Sequence, residues 1–380
     1  MAGGTGILHE TDMIERIYVH NYRCFENFTL DLTGRPSALV IGRNGAGKST
    51  LRCALQVIQN ICRGANRVRE WVGIGDFPFH RGSVPMRFEV DLVLRQKQYR
   101  YQIAFDMPEK FREPRVTEER LTAGGSPLFT RQLSQVNLPN GSSFNLDWHV
   151  AALPVFDERP GETSIQQLRS FFASLLLLAP VPRKMSGHAV EEATELDDGA
   201  ENFVGWLSGF MGGEPARYGD IDKYLKAVMP DFGSFKFMPR GEKGKQLTVQ
   251  FELREKDGTR TLQLDFGALS DGEKCFFLSA AIVAVNRSNN PLVCFWDEPD
   301  NHLSLPEVSH FVTELRRMTN QNGQFIATSH HPEVIRRFSD ENTIVFTRNS
   351  HLEPTRVRLL SEIGYQGDLI NAILRGEVIE

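Results

Sequence analysis

The sequence predicts an α/β protein: a strand–helix sheet assembled from the two ends of the chain, with a β-rich and then helical segment between them. Three observations predict it. At both ends, short apolar runs suited to buried strands alternate with runs of helical period and short loops, the pattern of a sheet covered by helices. From Met86 to Phe105 apolar and polar residues alternate, as in a half-buried hairpin. From Ser164 to about residue 229 the apolar spacing turns helical.

Taken in order, residues 1–12 (MAGGTGILHETD) read as a flexible tail. Ile17 and Val19, then Phe28, Leu30 and Leu32, alternate as half-buried strands do. ALVI (38–41) suits a buried strand; GRNGAGKST follows directly, and Leu51, Leu55, Ile58 and Cys62 then recur at helical spacing. Met86, Phe88, Val90, Leu92 and Leu94 face Tyr99, Tyr101, Ile103 and Phe105 across the polar turn RQKQ, and weaker strand signals continue to about residue 150. Ser164 and Gln167 fit a capping box for a helix with the face Ile165, Leu168, Phe171, Phe172, Leu175 and Leu176, stopping before Pro180 and Pro182. The acidic run EEATELDD (191–198) reads as a solvated loop.

Further helices are expected near 200–211, ended by Gly212 and Gly213, and near 220–229, opened by Asp220. Leu247, Val249, Phe251 and Leu253 alternate before a Lys-Asp-Gly turn, and Leu262, Leu264 and Phe266 after it. LSDGEK (269–274) then opens a helix from Glu273 to Asn286. A buried strand LVCFW (292–296), a helix from Pro306 to Met318, a strand QFIAT (324–328) and a last helix and strand complete the order.

Composition bounds the reading. With 380 residues and 41% hydrophobic content the chain supports one large or two modest domains. A net charge of −5 gives no sign of a basic nucleic-acid-binding protein or of a disordered acidic one. The five cysteines (Cys24, Cys53, Cys62, Cys275, Cys294) lack CxxC spacing and read as buried free thiols in a reducing compartment. No signal peptide is legible, and the longest apolar run, Phe171 to Ala179, is too short to span a bilayer; a soluble, cytoplasmic protein is expected.

Three motifs carry chemistry. GRNGAGKS (42–49) fits G-x-x-x-x-G-K-[ST] between a strand and a helix. Its glycines let backbone N–H groups wrap phosphate oxygens, from Gly42 and Asn44 through Gly45, Ala46 and Gly47 to Thr50. Lys48 reaches the outer phosphates as a mobile point charge, Ser49 suits Mg²⁺, and the helix N-terminus faces the anion. LVCFWDE (292–298) ends an apolar strand in two acids: Asp297 suits a Mg²⁺ contact and Glu298 suits orienting and deprotonating water. An apolar strand ending in Asp-Glu is common on its own and gains meaning from the phosphate loop. ATSHHPE (327–333) places His330 and His331 after another apolar strand, where a His suits bonding a γ-phosphate or simply opens a surface helix.

Together with LSDGEK, these motifs resemble the ATP-binding-cassette (ABC) ATPases, in the order phosphate loop, Ser270, Asp297, His330. The resemblance implies ATP and Mg²⁺ as cofactors, ATP hydrolysis, and a homodimer closed head-to-head around two ATP. It also implies that Ser270, Asp271 and Gly272 cap the nucleotide of a second copy, and that EPDNHLS (298–304) is the family's D-loop.

Within the superfamily, IYVHNYRCF (17–25) looks like the opening motif of the SMC/RecF branch, where Arg23 would contact nucleotide or stand as a plain surface arginine. Glu273 stands where transporters usually carry Gln. SHHPE resembles overcoming-lysogenization-defect (OLD-type) ATPases, and aligning its Pro makes His330 the switch histidine. Asp271 departs from the family's usual Gly and brings negative charge toward phosphate, which implies slow turnover. The Q-loop glutamine has only Gln96, Gln98 and Gln102 as candidates.

The expected architecture is an ABC-ATPase head with an antiparallel β-subdomain and a largely helical insertion lobe: core at 13–62 and 247–380, insertion at 63–246. No long coiled coil is present, and the stretch after His330 is too short for an appended nuclease domain. The resemblance therefore points to an ATPase that regulates a separate effector, a nuclease or toxin, as Septu- and retron-associated ATPases of anti-phage defence do. The alternatives are a RecF-like DNA-repair ATPase, which leaves DNA or RNA open as a ligand, and a transporter subunit, which the long insertion disfavours.

Overall fold

A computed structural model of the chain describes residues 12–156, 163–255, 258–286, 292–319, 323–337, 340–364 and 372. The tail at 1–11 and the Lys256-Asp257 part of the expected turn lie outside the described residues. In chain order the structure begins with β1 (Met13–His20), β2 (Phe28–Asp31), β3 (Ser37–Gly42) and α1 (Lys48–Cys62). Six strands follow in the β-rich segment and just beyond it: β4 (Met86–Leu94), β5 (Lys97–Asp106), β6 (Arg115–Ala123), β7 (Ser126–Gln132), β8 (Gln135–Asn137) and β9 (Ser143–Asn145). Then come α2 (Ser164–Ser174), β10 (Leu176–Leu178), β11 (His188–Ala189), α3 (Phe203–Gly213) and α4 (Tyr218–Val228). Next are β12 (Phe232–Arg240), β13 (Gly244–Glu255), β14 (Gly258–Asp265) and α5 (Asp271–Asn286). The last elements are β15 (Val293–Trp296), α6 (Leu305–Thr319), β16 (Gln324–Ser329), α7 (Pro332–Arg337), β17 (Thr343–Thr347) and β18 (Arg356–Leu359).

The strands form three sheets. An antiparallel sheet runs β2-β1-β4-β5-β6-β7-β8-β9. The central sheet runs β10-β15-β16-β3-β17-β18, parallel except for the β18 edge. A small antiparallel sheet joins β11, β13 and β12, with β14 on β13. The central strands β3, β15 and β16 are buried along their whole length, so their alternating side chains enter two different cores. Ala38, Val40, Phe295 and Ile326 pack with α1, α2 and the large antiparallel sheet. Leu39, Ile41, Cys294 and Trp296 pack with the small sheet and α3 to α7. The strict alternation of β4 is preserved as alternating burial, and its outward Asp91 pairs with Arg16 and Arg100.

The chain between β9 and α3 departs from expectation. The apolar run at 171–178 does not stay helical: α2 stops at Ser174, and Leu176–Leu178 become the edge strand of the central sheet beside β15. All three leucines are buried, so a run apolar on every side suits a covered strand better than one helix face. This puts part of the expected insertion inside the central sheet. The cap of α2 is Thr163, whose hydroxyl accepts from Gln166 N at 3.2 Å; Ser164 and Gln167 instead bond Lys97 and Tyr99. The acidic loop at 191–198 docks onto α1, with Asp198 2.8 Å from Arg52 and Glu195 3.1 Å from Arg63.

Candidate functional site

The turn from β3 into α1 depends on its glycines. Gly42 has φ +155° and Gly47 φ +105°; a Cβ on Gly42 would lie 2.4 Å from the Phe346 carbonyl oxygen, and one on Gly47 2.8 Å from the Phe25 ring. Only Gly meets both the backbone angles and the close approach. Thr355 holds the turn from outside, its hydroxyl donating to Ala46 O at 2.8 Å. Helix α1 starts at Lys48 with no acidic residue in its first turn and no side-chain cap, which leaves its leading N–H groups to an anion. Ser49 is exposed on this first turn.

Beside the turn lies a cleft of about 490 Å³, with Gly42, Arg43, Asn44 and Gly45 on one wall and His330, Arg348 and 349–351 on the other. Arg348 is braced by the Glu353 and His351 carbonyls at 2.8 Å and approaches Gly45 O at 3.4 Å.

Lys48 is buried and turned inward, donating to Gly42 O at 2.9 Å and lying 3.8 Å from Glu298 Oε1. Burial lowers its pKa, opposed by Glu298, Asp297 and Asp300, with a net fall below the usual 10.5. The two acids that end β15 are set by one hydroxyl. Thr328 Oγ1, on the adjacent β16, donates to Asp297 Oδ1 and accepts from Glu298 N at 2.9 Å. That bond anchors Glu298 in the left-handed region, φ +51°, unusual for a residue with a Cβ. Its carboxylate accepts from Asn301 Nδ2 at 2.8 Å and lies 3.1 Å from His330 Nδ1. Burial pushes the Glu298 carboxyl up, but Asn301, His330 and Lys48 outweigh it, leaving the pKa below its usual 4.5.

The fourth motif does not line this cleft. Ser270 is exposed and forms a reciprocal capping box with Glu273: its N–H and hydroxyl both donate to Glu273 Oε2 at 2.7 Å, and Glu273 N lies 3.3 Å from its Oγ. Gly272 packs under His302, where a Cβ would meet the His302 carbonyl oxygen at 2.9 Å. Asp271 lies 3.5 Å from Arg183 Nε and 3.9 Å from His302 Nδ1.

The structure thus gathers Lys48, Asp297, Glu298 and His330, while Ser270, Asp271 and Gly272 do not line the phosphate-loop cleft. His330 faces Glu298, while the N–H of His331 bonds Ser329 Oγ at 2.9 Å. Arg23 is held by Asp76 at 2.8 Å and meets Arg348 and His351 in a smaller cavity of about 180 Å³. Gln96, Gln98 and Gln102 sit on the β4–β5 hairpin and none lines the phosphate-loop cleft. Thr328, Asp300 and Asn301 lie inside the quoted motifs, which give them no role, and Arg348 lies outside all of them. Arg348 follows the C-terminal end of a parallel strand, where ligands of such sheets collect.

The residues fit Mg²⁺. Among the described residues no cluster of three or more His, Cys, Asp or Glu closes an all-protein metal cage. The donors at hand are hard oxygens, the Ser49 hydroxyl and the Asp297 carboxylate, which suit a cation shared with substrate phosphates. Asp297, Glu298 and Asp300 all oppose the fall of the Lys48 pKa, and Asp300, whose own pKa burial raises, keeps Oδ1 buried without a hydrogen-bond partner.

A family described as "AAA domain, putative AbiEii toxin, Type IV TA system" matches residues 37–336. Among curated proteins, the zinc import ATP-binding protein ZnuC 1 of Hahella chejuensis (strain KCTC 2396) is 34% identical over 105 residues, 28% of this chain. The match spans only 38% of that relative's length. Among solved structures, an SMC head bound to the C-winged helix domain of ScpA superposes with a TM-score of 0.52 at 12% identity, covering 92% of this chain and 98% of that one. The SMC head domain from Thermotoga maritima gives 0.46 at 14% identity, covering 91% and 98%. The likeness to the first of these establishes the fold, an SMC-head-like architecture. No helix among the described residues is long and apolar enough to cross a membrane.

Proposed function

The chain belongs to this AAA-domain family, and from that premise we propose that it binds and hydrolyses ATP as a two-copy switch controlling a separate effector. The observation that carries the reading is the convergence of Lys48, Asp297, Glu298 and His330 beside an uncapped helix N-terminus. Backbone N–H groups from Asn44 to Thr50 would wrap the phosphates, with Lys48 swinging from Gly42 O toward the outer ones. Ser49 and Asp297 would hold Mg²⁺, which supplies charge neutralisation at the phosphates. Glu298 stays ionised at neutral pH and is aimed by Asn301 and His330, as a base that orients and accepts a proton from water must be. His330, on the cleft wall, suits sensing the γ-phosphate.

Ser270 is exposed, is capped by Glu273 and does not line the phosphate-loop cleft, which supports its closing over the nucleotide of a second copy. ATP would then hold the closed pair and hydrolysis release it. The family's description names an AbiEii toxin and a type IV toxin–antitoxin system, which supports a defence role; the separate nuclease or toxin effector rests on the sequence resemblance alone.

Two experiments test this. Glu298→Gln should lose ATP turnover while retaining ATP; hydrolysis at the parent rate removes Glu298 from the role of base. Tagged Glu298→Gln recovered from its native cells with ATP, with and without nuclease treatment, should bring down a stoichiometric nuclease or toxin. DNA with repair factors and no such effector would favour the RecF-like alternative.

A further inference from the structure

We propose that Arg183 works in trans: in the closed pair its guanidinium contacts the terminal phosphate of the ATP bound by the other copy. The inference rests on the two-copy reading above and adds a residue that no motif marks.

Arg183 lies on the loop that leaves β10, the strand beside β15. That loop is pinned at several points. Val181 N bonds Gly199 O at 2.9 Å, and Lys184 N bonds Val181 O at 2.8 Å. Buried Lys274, from the first turn of α5, donates to Pro182 O at 3.1 Å, and Met185 is buried. The backbone is therefore fixed to the same helix turn that carries Ser270, yet the Arg183 side chain is 89% exposed. A long cation on a fixed base, left in solvent beside the motif that would close over a phosphate, is poorly explained as packing. Its ion pair with Asp271 gives almost nothing to stability, being exposed.

That ion pair has a different use. Asp271 stands where a carboxylate would repel an approaching phosphate. Arg183 Nε, 3.5 Å from Asp271 Oδ2, offsets this charge. Asp271 then draws the guanidinium toward the Ser270 turn, within reach of a phosphate that its fork can meet with two nitrogens. Charge supplied at the phosphate as bonds to it change is worth most when it is held in place beforehand.

The test uses the full chain. Arg183→Ala should bind ATP as a monomer within about twofold of the parent yet hydrolyse it roughly 1,000-fold slower or worse, the range of a lost phosphate-contacting arginine. Arg183→Lys should recover only part of the rate, because a point charge lacks the fork. The deciding measurement is a mixture. In a pair of Arg183→Ala with Glu298→Gln, one site joins the intact Glu298 of the first copy to the intact Arg183 of the second. Titrating Glu298→Gln into Arg183→Ala should therefore raise turnover at least tenfold above the summed rates of the two alone. Parent-like turnover by Arg183→Ala, weakened monomer binding, or a slow variant that the mixture does not rescue would each overturn the proposal. If Glu298→Gln itself fails to pair with ATP, the two-copy reading falls first, so the two failures are distinguishable.

Discussion

Replacing Thr328 by Val probes the hydroxyl that sets both acids of the cleft. The two side chains have the same shape, so packing at this fully buried position changes little. What is lost is one donor to Asp297 and one acceptor for Glu298 N–H. A buried polar group left without a partner costs about 1–3 kcal/mol. The Glu298 backbone also sits at φ +51°, a conformation that costs an L-residue about 1–2 kcal/mol and that this bond helps to hold. Water can reach half-buried Glu298, so the two effects should total about 1–3 kcal/mol rather than their sum. Freed from its anchor, Glu298 should relax and move its carboxylate from the cleft. Turnover is expected to fall at least tenfold while the ATP concentration for half-maximal rate changes less than about threefold, because the phosphate loop is untouched. Thr328→Ser, which keeps the hydroxyl, should return most of the rate. Urea unfolding and steady-state hydrolysis read both effects. Parent-like turnover by Thr328→Val, or a Ser variant as poor as the Val one, would refute the positioning argument.

Lys48→Ala should weaken ATP binding by roughly 100-fold, about 2.7 kcal/mol, in calorimetry; unchanged affinity in a folded variant would remove the phosphate-loop assignment. Ser270→Arg should bind ATP as a monomer yet fail to pair, since the new side chain projects from the turn meant to close on a second nucleotide; ATP-driven pairing by this variant in sedimentation would contradict the role of the turn. Glu298 gives a pH signature. Its folded-state pKa lies below the usual 4.5, so its ionised form favours the fold above about pH 4.5, and that contribution is lost as pH falls through the lower folded value. The stability of the parent relative to Glu298→Gln should therefore shrink between pH 7 and pH 3, and a difference that grows toward acid would contradict the hydrogen-bond account.

Much of the fold was legible because single residues encode it. The alternation from Met86 to Leu94 became β4, and the helical recurrence of Leu51, Leu55, Ile58 and Cys62 became the buried face of α1. Gly42, Gly47 and Lys48 were readable because phosphate loops demand those residue types at fixed spacing. Leu176–Leu178 was misread because a short apolar run has no period to distinguish a covered strand from a helix end; only its pairing with β15 decides. Thr328 and Arg348 escaped for a related reason. A threonine ending a strand and an arginine opening a loop carry no local pattern, and their roles arise from strand order in the central sheet.

The most direct test of the two-copy switch is the sedimentation mass of Glu298→Gln with and without ATP and Mg²⁺, and again with ADP. The account predicts monomer alone and with ADP, and a doubled mass with ATP that Ser270→Arg abolishes in the Glu298→Gln background. A mass that stays monomeric with ATP bound, or a dimer indifferent to nucleotide and to Ser270→Arg, would contradict it.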